Sequence, residues 1–172
     1  MNHRFQETPR VLAIYPTKEG FGFAVLEGPR ILIDWGVKTA GHNTTARRLS
    51  LVAKLLERYR PDLLAIEDLT AKCSRRGRRA KVLIERIVKL AAENDIAWRH
   101  ISCRAVRQTF FHIGATTKDQ IAKTIATQLP ELAFSLPRPR KPWDSRAYSM
   151  STFDATALAL AYFSHEQDEH GV

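Results

Sequence analysis

The chain has 172 residues, 44% hydrophobic and 26% charged, which suits one globular domain burying roughly 70% of its extended surface. No apolar run approaches the ~18 residues of a membrane span, and the opening MNHRFQETPR lacks a signal peptide's apolar core, so a cytoplasmic protein without a membrane partner is expected. Twenty-seven Lys and Arg against eighteen Asp and Glu give a formal charge of +9, which favours a polyanionic partner through counterion release.

Residues 1–9 read as a flexible leader. Val11–Ile14 is continuously apolar, the pattern of a strand buried on both faces. Gly20 and Gly22 accompany a second strand, Phe21–Leu26, and the turn GluGlyProArg (27–30) leads to a third, Ile31–Val37. Connections this short predict an antiparallel meander. GlyHisAsnThrThr (41–45) supplies an N-cap for a helix with Leu49, Val52, Leu56 and Tyr59 at helical spacing, stopped by Pro61. A fourth strand, Leu63–Ile66, ends in Glu67 and Asp68.

A basic stretch follows, with Arg75, Arg76, Arg78, Arg79 and Lys81 inside seven residues; Arg138, Arg140, Lys141 and Arg146 form a second cluster inside nine. Charge this dense beside Gly and Pro points to phosphate contact rather than an evenly solvated helix face. A soluble protein that is simply basic is the plainer alternative. Cys73 and Cys103 are the only cysteines, and without CxxC spacing they suggest neither a disulfide framework nor a zinc site. A helix near Ala80–Asn94, a strand Ile96–Ile101 and helices Arg104–Phe111 and Lys118–Leu129 come next, the last opened by Thr116 or Thr117. Pro130–Met150 is Pro-rich and aperiodic, hence a long loop. Thr152 is placed as the cap of a final helix, Phe153–Ser164, and residues 166–172 as a fraying polar tail. The order predicts an α/β domain over residues 10–165: a mixed five-stranded sheet flanked by helices.

Functional groups in such sheets gather at strand ends. Glu67 ends the fourth strand, where burial of a carboxylate asks for a metal or a cationic partner; an acid at a solvated strand boundary is the ordinary reading. Asp154 lies in the first turn of the last helix, where the helix dipole alone favours an acid. Neither acid is diagnostic singly.

Together with GlyPheGlyPhe (20–23), LeuLeuAlaIleGlu (63–67), the stretch Arg104–Ile121 and PheAspAlaThrAlaLeuAlaLeuAlaTyr (153–162), the chain resembles the RuvC-type Holliday junction resolvases of the RNase H-like superfamily, over about Val11–Phe163. That resemblance implies a homodimer binding branched, four-way DNA. It also implies two Mg²⁺ held by carboxylates of the first strand, the fourth strand and the last helix, which activate a water and stabilise the leaving oxygen. Glu67 and Asp154 match two of those catalytic, metal-holding acids. At a third acidic position the chain has Ser151, and at the central bridging aspartate it has Tyr15, in IleTyrProThr. Arg107 and Lys118 match basic positions near the scissile phosphate and the junction backbone. The loop after Glu67 lacks the family's stacking aromatic and is basic instead.

Two divalent ions ~4 Å apart repel by roughly 4 kcal/mol even at the dielectric of water. Four carboxylates offset that charge; Glu67 and Asp154 are two, and a phenol, neutral at pH 7, does not bridge as a carboxylate does. The expectation is one weakly held Mg²⁺ or none, with Tyr15 as an aromatic plug and cleavage weak or lost. Asp68, Glu19, Asp34 and Asp144 are the candidate replacement acids. Trp143 and Tyr148 are candidates for base stacking or for covering the core, and His42 and His112 read as structural or surface residues. Three functions remain open: a DNA-binding dimer with a degenerate site, an Mg²⁺-dependent endonuclease with altered ligands, and a protein-interaction scaffold.

Overall fold

The computed structural model describes residues 8–41, 45–74, 76–139, 141 and 149–169, with side chains to 166. Most of the leader, most of the 41–45 cap, the end of the tail, Arg75, Arg140, Trp143, Asp144, Arg146 and Tyr148 lie outside the described residues. So does His42.

Strands β1 (Arg10–Pro16), β2 (Gly20–Glu27) and β3 (Leu32–Thr39) form the expected antiparallel meander. After α1 (Thr45–Tyr59), strand β4 (Leu63–Glu67) pairs parallel with β1, and after α2 (Arg78–Glu93), β5 (Ala97–Ile101) pairs parallel with β4. The sheet order is β3-β2-β1-β4-β5. Helices α3 (Cys103–Phe111), α4 (Lys118–Gln128) and α5 (Met150–Glu169) complete the domain. Side chains alternate across a pleated strand, and β1 divides its residues accordingly. Val11 and Ala13 enter a core with α3, α4 and α5, while Leu12 and Ile14 enter one with α1 and α2.

The basis for this packing is local. Thr117 caps α4 with a full capping box: its hydroxyl accepts from the Gln120 amide, and the Gln120 side chain accepts from the Thr117 amide. Ser102 caps α3 by accepting from the Ala105 amide. Small side chains on α5, Ala155, Ala157, Ala159 and Ala161, are all buried and let the helix lie close to the sheet. No described helix is long and apolar enough to cross a membrane.

Three expectations need correction. The stretch 130–150 is not uniformly a loop, because a 3₁₀ helix occupies Pro130–Ser135 and buries Leu132 in the core; proline fits its first turn, where its missing N–H costs nothing. Helix α5 begins at Met150 rather than Phe153 and runs on to Glu169. Thr152 is therefore inside the helix, completely enclosed against the sheet, and its carbonyl accepts from Thr156 Oγ1. Tertiary burial there overrides a capping preference that is only local. Finally, Cys73 and Cys103 are joined in a disulfide, with Cα atoms 6.2 Å apart. Spacing in the sequence carries no trace of that pairing.

Candidate functional site

Parallel pairing sets the site's geometry. Ile14 of β1 pairs with Ile66 of β4, so Tyr15 and Glu67 follow one residue further along neighbouring strands. Tyr15 packs against the core on the α5 side, and Glu67 has the pleat parity of Leu63 and Ala65, which also belong to that core. On the other side of β1, Tyr15 pairs with Gly22. A Cβ on Gly22 would lie 2.2 Å from the Ser151 carbonyl oxygen, so only glycine lets the start of α5 press onto β2 there. That close approach places Asp154, one turn later, over the strand ends.

A cleft of about 640 Å³ opens at this point, lined among others by Tyr15, Glu67, Arg76, Arg107, Lys118 and Asp154. Glu67 and Asp154 are the acids among its described lining residues, and each meets a cation of the chain itself. Arg76 Nε donates to Glu67 Oε2 at 3.0 Å, and its Nη1 donates to the Pro16 carbonyl at 2.8 Å. Lys118 Nζ donates to Asp154 Oδ1 at 2.7 Å and to Tyr15 Oη at 3.0 Å. Both cations lie over the ring of Tyr15, whose centroid is 4.3 Å from the Arg76 guanidinium carbon and 4.9 Å from Lys118 Nζ. Two ion pairs, Arg76 with Glu67 and Lys118 with Asp154, thus meet at one phenol ring. Glu67 is 8% exposed, and burial holds its carboxyl above the ordinary value, against the lowering pull of Arg76 and then Lys118.

The replacement acids among the described residues, Asp34, Asp68 and Glu19, do not join this group. Asp34 accepts from the Tyr59 hydroxyl of α1, on the opposite face of the sheet. Asp68 accepts from the Thr70 amide at 2.9 Å and its hydroxyl at 2.7 Å, contacts that, led by the hydroxyl, lower its carboxyl. Glu19 is exposed in the β1–β2 turn. Ser151 is buried beside Gly22 and is not among the cleft's lining residues. Among the described residues, no three His, Cys, Asp or Glu side chains converge on one point.

The basic run is divided rather than gathered. Arg76 reaches inward to Glu67 and also lines, with Arg78, Arg79, Lys18 and Arg48, a neighbouring hollow. Lys81 lines a third hollow, with Asp68 and His100. Arg107 is exposed at the rim of the Glu67 cleft. Sequence reasoning missed Lys18, Arg48 and Lys72, which line these hollows; the Lys72 position inside the basic loop was the one available signal. It also missed that Arg76 and Lys118 serve the acids directly. His112 is exposed and stacks edge-on with Phe111.

The sequence matches no protein-family model and no curated protein. The fold is similar to that of Thermus thermophilus RuvC, with a TM-score of 0.67 and 18% identity over 92% of this chain and 96% of that one. It is also similar to T. thermophilus RuvC in complex with a Holliday junction substrate, with a TM-score of 0.65, 18% identity and the same coverage. A third similar structure is the yeast mitochondrial Holliday junction resolvase, with a TM-score of 0.62 and 13% identity over 95% of this chain and 81% of that one. The domain has the RuvC-like, RNase H-like α/β fold, with its mixed five-stranded sheet flanked by helices.

Proposed function

We propose that this protein binds branched or structured DNA as a RuvC-like homodimer, without needing a divalent metal and with nuclease activity weak or absent. One observation carries the reading: each acid in the cleft is neutralised by a cation of the chain, Glu67 by Arg76 and Asp154 by Lys118, around a tyrosine. Among the described lining residues, two carboxylates and a phenol are a poor donor set for a pair of Mg²⁺ ions, whose mutual repulsion needs about four negative charges nearby. For a metal to enter, Lys118 and Arg76 must first be displaced from their partners.

The same cations suit phosphate. Lys118 and Arg107 at the cleft, with Arg78, Arg79, Lys18 and Arg48 alongside, offer a polyanion a positive surface on one end of the sheet. The similar structures include RuvC bound to a Holliday junction substrate, which supports a branched DNA as the ligand. Binding without a base-stacking aromatic in the loop after β4 favours recognition of shape and backbone over base identity.

The test is to incubate the protein with a labelled four-way junction in EDTA, in Mg²⁺ and in Mn²⁺. Binding of equal strength in all three, falling steeply with salt, and no nicked product are the expected results. Metal-dependent nicking above background establishes instead an endonuclease with altered ligands. No affinity for DNA at 50 mM salt leaves a protein-binding scaffold. Sedimentation of the free and bound protein reads the dimer directly.

A further inference from the structure

We propose that Cys73 and Cys103 form a reversible redox site, a dithiol–disulfide pair that ties the basic segment between β4 and α2 to the start of α3. The proposal is independent of which ligand the cleft takes.

The placement of the two residues is the basis. Their Cα atoms are 6.2 Å apart, inside the range a disulfide spans. Cys103 is the first residue of α3, an element fixed by the Ser102 cap and by Phe110 in the core. Cys73 lies in a stretch without regular structure, held within itself by the Asp68–Thr70 turn and by the Ser74 amide on the Ala71 carbonyl. The bond therefore joins a well-anchored helix to a weakly anchored segment. Three residues after Cys73, Arg76 reaches Glu67 and Pro16, so the tether also restricts where that guanidinium sits. Both cysteines line the cleft, and both are half-buried rather than enclosed in the core.

The surroundings favour exchange chemistry. Thiol–disulfide exchange runs through thiolates, which a helix N-terminus and neighbouring cations favour. Cys103 opens a helix, and Lys72, Arg76, Arg107 and Lys118 line the same cleft. The oxidant is a small-molecule disulfide. One cysteine thiolate attacks it, forming a mixed disulfide and releasing one thiol; the second cysteine attacks the mixed disulfide and releases the other. In sum, two protein thiols and one disulfide become one protein disulfide and two small thiols, and excess thiol reverses the sequence.

The experiment uses the full chain, equilibrated with excess oxidised glutathione or with dithiothreitol. Maleimide labelling reads the thiols, and brief trypsin treatment reads cleavage after Lys72 and Arg76. The expected result is protection of both thiols only after oxidation, with cleavage at least about tenfold faster in the reduced protein, as for a segment whose local opening is released. Cys73→Ser and Cys103→Ser should each be cut at the reduced rate under both conditions. Thiols that stay open after oxidation overturn the proposal, as do equal cleavage rates in the two states or redox-dependent cleavage that survives in the serine variants.

Discussion

The ammonium of Lys118 donates a hydrogen bond to the phenol oxygen of Tyr15 at 3.0 Å, across 103 residues of sequence. The same ring faces Arg76, 4.3 Å from guanidinium carbon to centroid. Tyr15 thus contacts two of the cleft's cations, the ammonium through its oxygen and the guanidinium through its ring. Each cation–π contact is worth about 0.5–2 kcal/mol, depending on desolvation. Tyrosine does here what a bare apolar plug cannot: its oxygen accepts a hydrogen bond from one cation while its ring faces another.

Replacing that ring with a carboxylate should change what the cleft attracts. Tyr15→Asp is expected to bind Mg²⁺ or Mn²⁺ at least about tenfold more tightly than the parent, which is about 1.4 kcal/mol. Combining it with Lys118→Met should add to the gain, since the competing ammonium is gone. Isothermal titration calorimetry measures both. Unchanged metal affinity in the double variant would mean that the strand ends are not shaped for a metal at all.

Lys118 also bears on the proposed DNA contact. Lys118→Met should weaken junction binding about three- to tenfold and reduce the slope of log affinity against log salt by about 0.9, the signature of one lost phosphate contact. Fluorescence anisotropy across a salt series reads both quantities. A parallel shift with no change of slope would assign the lysine to local structure alone.

Glu67 makes stability depend on pH in a defined direction. Its carboxyl is held above the ordinary 4.5, chiefly by burial, so the folded state holds its proton to higher pH than the unfolded chain does. Stability from this residue is complete below about pH 4.5 and is lost as pH rises through the raised value. Glu67→Gln, neutral at every pH and still able to accept from Arg76, should melt about 3 °C higher than the parent at pH 7. The gap should close by pH 4. A variant that melts lower than the parent at pH 7 would show that the ion pair with Arg76 outweighs the burial cost.

Gly22 tests the packing that delivers Asp154. A methyl group there meets the Ser151 carbonyl oxygen at 2.2 Å and its carbon at 2.3 Å. Both are backbone atoms, so α5 must move away from β2. Gly22→Ala is expected to cost about 3 kcal/mol in urea denaturation, at the upper end for overpacking. A loss under about 0.5 kcal/mol would contradict the close approach.

How far the sequence speaks for itself differs between fold and site. Four of the strands and their pairing sense follow from apolar runs and connection lengths, because Val11–Ile14 and Leu63–Ile66 are too short and too apolar for anything but buried strands, and links of three and four residues favour antiparallel neighbours. The capping box at Thr117 is equally local and equally legible. Ends of elements were less so. Thr152 has a capping residue's chemistry, yet burial beneath the sheet draws it into the helix, and no local preference encodes that burial.

The site divides the same way. Residue types alone determined that positive charge dominates the chain, and the resemblance read from them made Tyr15 and Ser151 expected departures from an acidic site. Only the tertiary structure decided the partners: Arg76 on Glu67, Lys118 on Asp154 and Tyr15, Cys73 on Cys103. Those pairs join positions 9 to 103 residues apart, and a side chain's partner at such range is set by where the sheet register and the approach of α5 bring the backbone. Composition states how much charge a chain carries; only folding determines which charges meet.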